Sequence, residues 1–366
     1  MQLNEHRHKT DMKSKSVWKK CRLIVTAVLV LLSLHIAVFL LAYGYSHPSS
    51  YYASISNVFI TVQNDGNSGA IQTNDAKTTA ASTENTDLDD DITVISGFLD
   101  TGVFYKAGVN RKLDLYLDWA ASFGGLRNRL IFLSNSENLR DFIQKSRSHL
   151  PAKDTIIVPV DLHELWPFQL MPTITRIISQ PGYPQHRPNT VSKGYIASTM
   201  SKYALMEKVL YSNISNGFPS TAFFAWLDLG YFREYNEWAH EVRHFRLKLP
   251  PAFNRSCIGA TQVRSQFWYT NASEIVAENM NYIGGGLILG TKTVLREFVE
   301  VFNISARLMI AQNLASTDQQ VLYAVYSDRS FNLTDRVCLV PYLYHRTKLN
   351  SNKWMHLGYL MLHEEA

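Results

Sequence analysis

ITVISGF (residues 92–98), RLIFLS (residues 129–134) and TIIVPV (residues 155–160) are three apolar runs of strand length, and the reading of this stretch decides the fold. Each is rich in β-branched residues or Leu and Phe, and together they read as short buried strands. Between the first two, Leu113, Leu117, Ala120 and Ala121 recur at helical spacing within residues 111–123, and between the second and third a polar helix is predicted over residues 137–148. Strands that alternate with helices and lack a polar face predict an α/β domain with a mostly parallel central sheet and helices on both faces. Toward the C-terminus the alternation continues with a helix over residues 198–211 and a strand over 222–229. Two further strands are predicted at 257–263 and 282–290, helices at 292–312 and 317–326, and a last strand at 337–341. Residues 167–188 hold five prolines and are expected to form an irregular excursion over the sheet.

On the N-terminal side the character of the chain changes twice. Residues 44–91 turn to Ser, Thr, Asn, Ala, Gly and Asp, a composition that cannot bury enough surface to fold, and read as a flexible, disordered stem. Before it, LIVTAVLVLLSLHIAVFLLAY (residues 23–43) carries no charge and is long enough to cross roughly 30 Å of hydrocarbon. Arg7, Lys9, Lys13, Lys15, Lys19, Lys20 and Arg22 crowd its N-terminal flank against only Glu5 and Asp11. The positive-inside rule then makes residues 1–22 a cytoplasmic tail, 23–43 a signal anchor and the remainder lumenal, the type II topology of an endoplasmic reticulum or Golgi protein. A cleaved signal peptide is the competing reading, with Ala42 and Gly44 near the cleavage point, but the apolar run exceeds the usual length of roughly 7–15 residues.

The whole chain of 366 residues carries a formal charge of +5. Much of that excess lies in the basic tail, so the head, residues 92–366, is near neutral and nucleic-acid binding is disfavoured. Of three cysteines, Cys21 sits at the cytoplasmic membrane edge, where palmitoylation or an idle thiol fits equally, and Cys257 and Cys338 share the lumenal side. That compartment permits a disulfide between them, although sequence does not show whether their backbones approach. Glycosylation sequons begin at Asn213, Asn254, Asn271, Asn303 and Asn332, all in the predicted lumenal part of a glycoprotein.

Ligands of open α/β sheets bind beyond the carboxyl ends of the strands. FFAWLDLGYFRE (residues 223–234) places Asp228 at such an end, where it either caps a turn or holds a cation. YIGGGLILG (residues 282–290) contains Gly284, Gly285 and Gly286, which let backbone approach a ligand or another strand closely. Asp318 and Gln319 open a predicted helix, a position that an N-terminal acid also occupies for capping alone. Arg111, Lys112 and Lys202 are candidates for phosphate contact, with a solvated helix charge as the plainer reading. No GxSxG elbow or HExxH helix points to a hydrolase.

These blocks, in this order, resemble the HtrL/YibB family. The resemblance rests on VISGFLDTG (94–102), RKLDLYLDW (111–119), RLIFLS (129–134), SKYALMEKVL (201–210), FAWLDLGYFR (224–233), GGGLILGTK (284–292) and TDQQVLY (317–323). The last three are also similar, more distantly, to GT-A glycosyltransferases. That resemblance implies a GT-A-like head transferring sugar from a nucleotide-sugar donor to a glycan, glycolipid or glycoprotein acceptor. It further implies Asp228 as ligand of Mn²⁺ or Mg²⁺, with His356 a second candidate ligand. Asp318 and Gln319 would stand near the reacting sugar and the strand carrying Gly284, Gly285 and Gly286 would line the acceptor side, with these glycines, Arg111 and Lys202 as the candidate cofactor-binding residues. The usual acidic motif has two acids flanking one residue, whereas here the third position is Gly230. An inactive, membrane-tethered glycan-binding or scaffold protein is the alternative that this departure implies.

Overall fold

The computed structural model describes residues 91–365 apart from 107, 215–220, 235–243, 267–269, 334 and 345–351. The predicted tail, anchor and nearly all of the stem lie outside the described residues. Among those described, no helix is long and apolar enough to cross a membrane.

A seven-stranded sheet forms the centre. Its strands are β1 (Ile92–Phe98), β4 (Arg129–Ser134), β5 (Thr155–Pro159), β6 (Phe223–Leu227), β8 (Ile258–Gln262), β9 (Ile283–Thr291) and β10 (Leu339–Leu343), in the order β10-β8-β9-β6-β1-β4-β5. All run the same way except β9, which lies antiparallel between β6 and β8. A small hairpin, β2 (Phe104–Lys106) with β3 (Val109–Arg111), and a ribbon of β7 (His244–Leu247) with β11 (Leu362–Glu365) complete the strands.

Period-two alternation explains why the sheet strands read as unbroken apolar runs. In β4, Leu130 and Phe132 enter one core while Ile131 and Leu133 enter the other, and in β6, Phe223, Ala225 and Leu227 oppose Phe224 and Trp226. One face is covered by α4 (Lys193–Tyr211), α5 (Lys292–Ala311) and α6 (Asp318–Ser327). The other packs against α1 (Leu113–Ala120), α2 (Glu137–Ser146) and α7 (His356–Met361). Each fully buried Leu or Phe in these layers contributes about 1.5–3 kcal/mol.

The proline-rich excursion differs from the expectation. It contains a helical turn, Trp166–Gln169, and α3 (Met171–Ile178), because Pro167 and Pro172 fall in the first two helical positions, where a missing N–H is harmless. Helix α4 likewise begins earlier than predicted, at Lys193, capped by Ser192 accepting from the Tyr195 N–H. Cys257 and Cys338 are joined by a disulfide, their Cα atoms 4.5 Å apart, which clamps the entry of β8 to that of β10.

Candidate functional site

Helix α4 drives Lys202 under the carboxyl end of the sheet. Its ammonium stands 2.8 Å from Asp318 Oδ2 and 3.3 Å from Asp228 Oδ1, and donates to the Gly285 carbonyl at 2.9 Å. Four remote stretches of chain therefore meet at one cation. Burial alone pushes Lys202 down, but Asp228 and Asp318 outweigh it and hold the ammonium above the ordinary lysine range. Burial pushes Asp318 up, and Lys202 opposes that.

The triple glycine makes this meeting sterically feasible. Thr261 pairs with Gly284 and Ala260 with Ile288, so residues 285–287 form a bulge on β9. It carries the Gly285 carbonyl to Lys202 and the Gly286 carbonyl to the Asp228 N–H, 2.8 Å away. A Cβ on Gly285 would stand 2.6 Å from Asp318 Oδ2 and 3.2 Å from the Lys202 ammonium, so no other residue fits without displacing the pair.

Asp228 behaves differently from Asp318. Its side chain is 45% exposed against 4% for Asp318. Asp228 Oδ1 accepts from Trp226 Nε1 at 2.7 Å as well as from Lys202, which fixes the carboxylate and leaves Oδ2 to the cleft.

That cleft, about 710 Å³, opens at the carboxyl ends of β1 and β6, as the strand-end rule predicts. Its walls include Lys106 and Arg111 of the hairpin, Tyr116 and Trp119 of α1, Arg187, Tyr195, Lys202, Asp228, Arg233, Gly286 and Gln319. Five cationic side chains thus face one carboxylate. The Arg111 and Arg233 guanidiniums lie 4.6 and 5.5 Å from the Trp119 ring centre. Arg233 also donates to the Gly230 carbonyl at 2.9 Å, and Lys106 donates to the Tyr195 hydroxyl. Desolvation pushes Lys106 below its ordinary value, Asp318 opposing, and burial pushes the Tyr195 and Tyr116 hydroxyls up.

The sequence candidates thus separate. Asp228, Lys202, Arg111, Gly286 and Gln319 line the cleft, Asp318 and Gly285 lie directly beneath it, and Gly284 packs against Trp354. Lys112 is exposed and outside the wall. His356 is buried outside the wall, its ring edge-on to Tyr344 at 5.6 Å. Sequence reasoning missed Trp119, Arg233, Lys106 and Tyr195. Trp119 and Arg233 do lie inside the blocks RKLDLYLDW and FAWLDLGYFR, which was the available signal.

Among the described residues the donor set does not fit a resident divalent cation. Gly230, where a second acid would stand, is closed: a Cβ there would meet Trp119 Cε3 at 2.5 Å. Asp318 is tied to Lys202, whose ammonium already occupies the Oδ1 side of Asp228. Among the described residues no group of three or more His, Cys, Asp or Glu side chains converges on a metal-sized site.

A family profile described as "Bacterial protein of unknown function (HtrL_YibB)" matches residues 90–335. Protein HtrL of Escherichia coli (strain K12) is 21% identical over 282 residues, covering 72% of this chain and 90% of that protein. Among solved structures, the apo form of mouse xyloside xylosyltransferase 1 aligns over 69% of this chain and 84% of its own, with 12% identity and a TM-score of 0.31. The profile spans six of the seven sheet strands, all but β10, together with the β9 bulge and all three groups gathered by Lys202, and on that match this chain belongs to the HtrL/YibB family.

Proposed function

We propose that this protein is a glycosyltransferase-like enzyme that transfers a sugar from a nucleotide donor to a glycan acceptor. The observation that carries the reading is the cleft at the strand ends, where five cations face a single, half-exposed carboxylate. Such a wall suits a diphosphate, whose negative charge grows as the glycosidic bond to it breaks. Tyr116, Trp119, Tyr195 and Trp226 add aromatic surface for a base or sugar ring.

In this reading the acceptor oxygen bonds to the anomeric carbon as the bond from that carbon to the phosphate oxygen breaks. The electron pair leaves with the nucleoside diphosphate, and the acceptor's hydroxyl proton passes to Asp228 Oδ2. Asp318 acts indirectly, by holding Lys202 charged and in place. The expected residents of the head are therefore the nucleotide sugar and a glycan, glycolipid or glycoprotein acceptor.

The proposal extends to cellular placement: residues 1–22 in the cytoplasm, 23–43 spanning the membrane, 44–91 as stem and the head in the lumen of the Golgi or endoplasmic reticulum. The Cys257–Cys338 disulfide supports an oxidising compartment, and the exposed asparagines of the sequons at Asn213, Asn254, Asn271 and Asn332 support a glycosylating one.

A binding role without turnover is the second reading, favoured by the missing second acid at Gly230. Incubating purified full-length protein with a panel of nucleotide sugars and glycan acceptors, and measuring nucleoside diphosphate release, separates the two. Active wild type and an Asp228→Asn variant slowed by about 100-fold or more are expected. Equal rates in both would remove Asp228 from the chemistry, and donor binding without release would establish the binding role.

A further inference from the structure

The residue that closes the second-acid position also builds a cationic surface. Trp119 fills the space beside Gly230, and the same indole carries Arg111 and Arg233. Among the described residues neither guanidinium has a carboxylate within 4 Å, although Arg129, Arg246 and Arg336 each do. Arg111 Nε is buried without a hydrogen-bond partner, an uncommon condition for so polar a group. Arg233 spends one nitrogen on the Gly230 carbonyl and keeps the rest of its fork. Two uncompensated guanidiniums on one aromatic shelf, with the Lys106 ammonium in the same wall, form a site in want of an anion.

We infer that Arg111 and Arg233, seated on Trp119, bind the donor's diphosphate without a metal ion, taking the charge-neutralising place that an acid-bound dication would hold. This deepens the glycosyl-transfer reading and rests on it for the identity of the anion. The chemistry is coherent on both sides of the exchange. A second acid at residue 230 would demand a cation, whereas Gly230 with Trp119 displays fixed positive charge directly. Planar guanidiniums match phosphate oxygens in pairs, which a lone ammonium does not.

The test is isothermal titration of purified full-length protein with UDP, GDP, ADP, CDP and inorganic pyrophosphate, in EDTA and in Mn²⁺. At least one nucleoside diphosphate is expected to bind equally in EDTA and Mn²⁺. Arg111→Gln and Arg233→Gln should each weaken that binding about tenfold or more, while Arg111→Lys retains part of it. Thermal melts of the variants matching wild type establish that folding is intact. Binding lost in EDTA, restored by Mn²⁺ and abolished by Asp228→Asn would overturn the inference. If pyrophosphate binds in EDTA through both arginines while no nucleoside diphosphate does, the anion site stands and the glycosyl-donor reading falls. No binding of any probe in either buffer ends both.

Discussion

Replacing Lys202 with Met tests whether the buried cation organises the site. The loss has three parts. Asp318 is only 4% exposed and would be left as a buried charge without its partner 2.8 Å away, a break that costs about 3–5 kcal/mol. Asp228 is 45% exposed and 3.3 Å away, so water screens its share to about 1 kcal/mol or less. The Gly285 carbonyl loses a 2.9 Å bond, worth about 1 kcal/mol more. A thermal melt of full-length protein followed by tryptophan fluorescence should fall by on the order of 10 °C. Adding Asp318→Asn to Lys202→Met removes the stranded charge and should recover much of the loss. The pH dependence has a definite sign. In wild type the raised Lys202 contributes stability that is complete below the ordinary lysine value of about 10.4 and lost only as pH rises through its higher folded value. In Lys202→Met the Asp318 carboxyl, already raised by burial, loses the ammonium that opposed the rise. Stability of the variant should then fall as pH climbs above about 4, so its deficit is smaller at pH 5 than at pH 8. A variant within about 1 kcal/mol of wild type across that range, or one not rescued by Asp318→Asn, would refute the argument.

Gly230→Asp should destabilise by about 1–3 kcal/mol in a urea titration, because its Cβ would stand 2.5 Å from Trp119, and should confer no Mn²⁺ binding by calorimetry. Replacing both Cys257 and Cys338 by Ser should cost about 4 kcal/mol by the same titration, since the bond closes a separation of 81 residues. Among the sequons, Asn303→Gln should leave the endoglycosidase-sensitive gel shift of cell-expressed protein unchanged. Asn303 lies mid-helix on α5 with its amide donating to Glu207 at 3.0 Å, and the sequon's Ser305 is fully buried. Substituting Asn213, Asn254, Asn271 or Asn332, all exposed, should each reduce that shift.

The sheet was legible because its signal is local. A run such as RLIFLS, buried on both faces, must be continuously apolar, and each predicted sheet strand is present within about two residues of its expected ends. The small ribbon of β7 with β11 escaped, since HFRL and LHEE carry no apolar run. Buried Asn128 holds β7 to the sheet: its amide reaches the Ile92 and Leu247 carbonyls, and its oxygen accepts from the Leu247 N–H. Asp228 and the glycines were visible as strand-end features. Their relation to Lys202 was not, because it depends on α4 and β9 meeting across 83 residues of sequence and on a bulge that no periodicity encodes. The role of Gly230 was hidden for the same reason: its neighbour in space, Trp119, lies far away in the chain.

Exposure divides the two candidate acids more firmly than sequence order does. A proton acceptor in sugar transfer must present an oxygen to the acceptor hydroxyl at hydrogen-bond distance. Asp318 sits beneath the bulge with its carboxylate held by Lys202, and moving it outward would strand that ammonium in the protein interior. Asp228 is fixed through one oxygen by Trp226 and Lys202 and open through the other, so it can accept a proton without disturbing the buried pair. Its neighbours on the wall are cations, which suits the diphosphate departure proposed for this cleft. The buried pair and the open carboxylate then form one device: Asp318 keeps Lys202 charged, Lys202 and Trp226 aim Asp228, and Asp228 presents its free oxygen to the cleft.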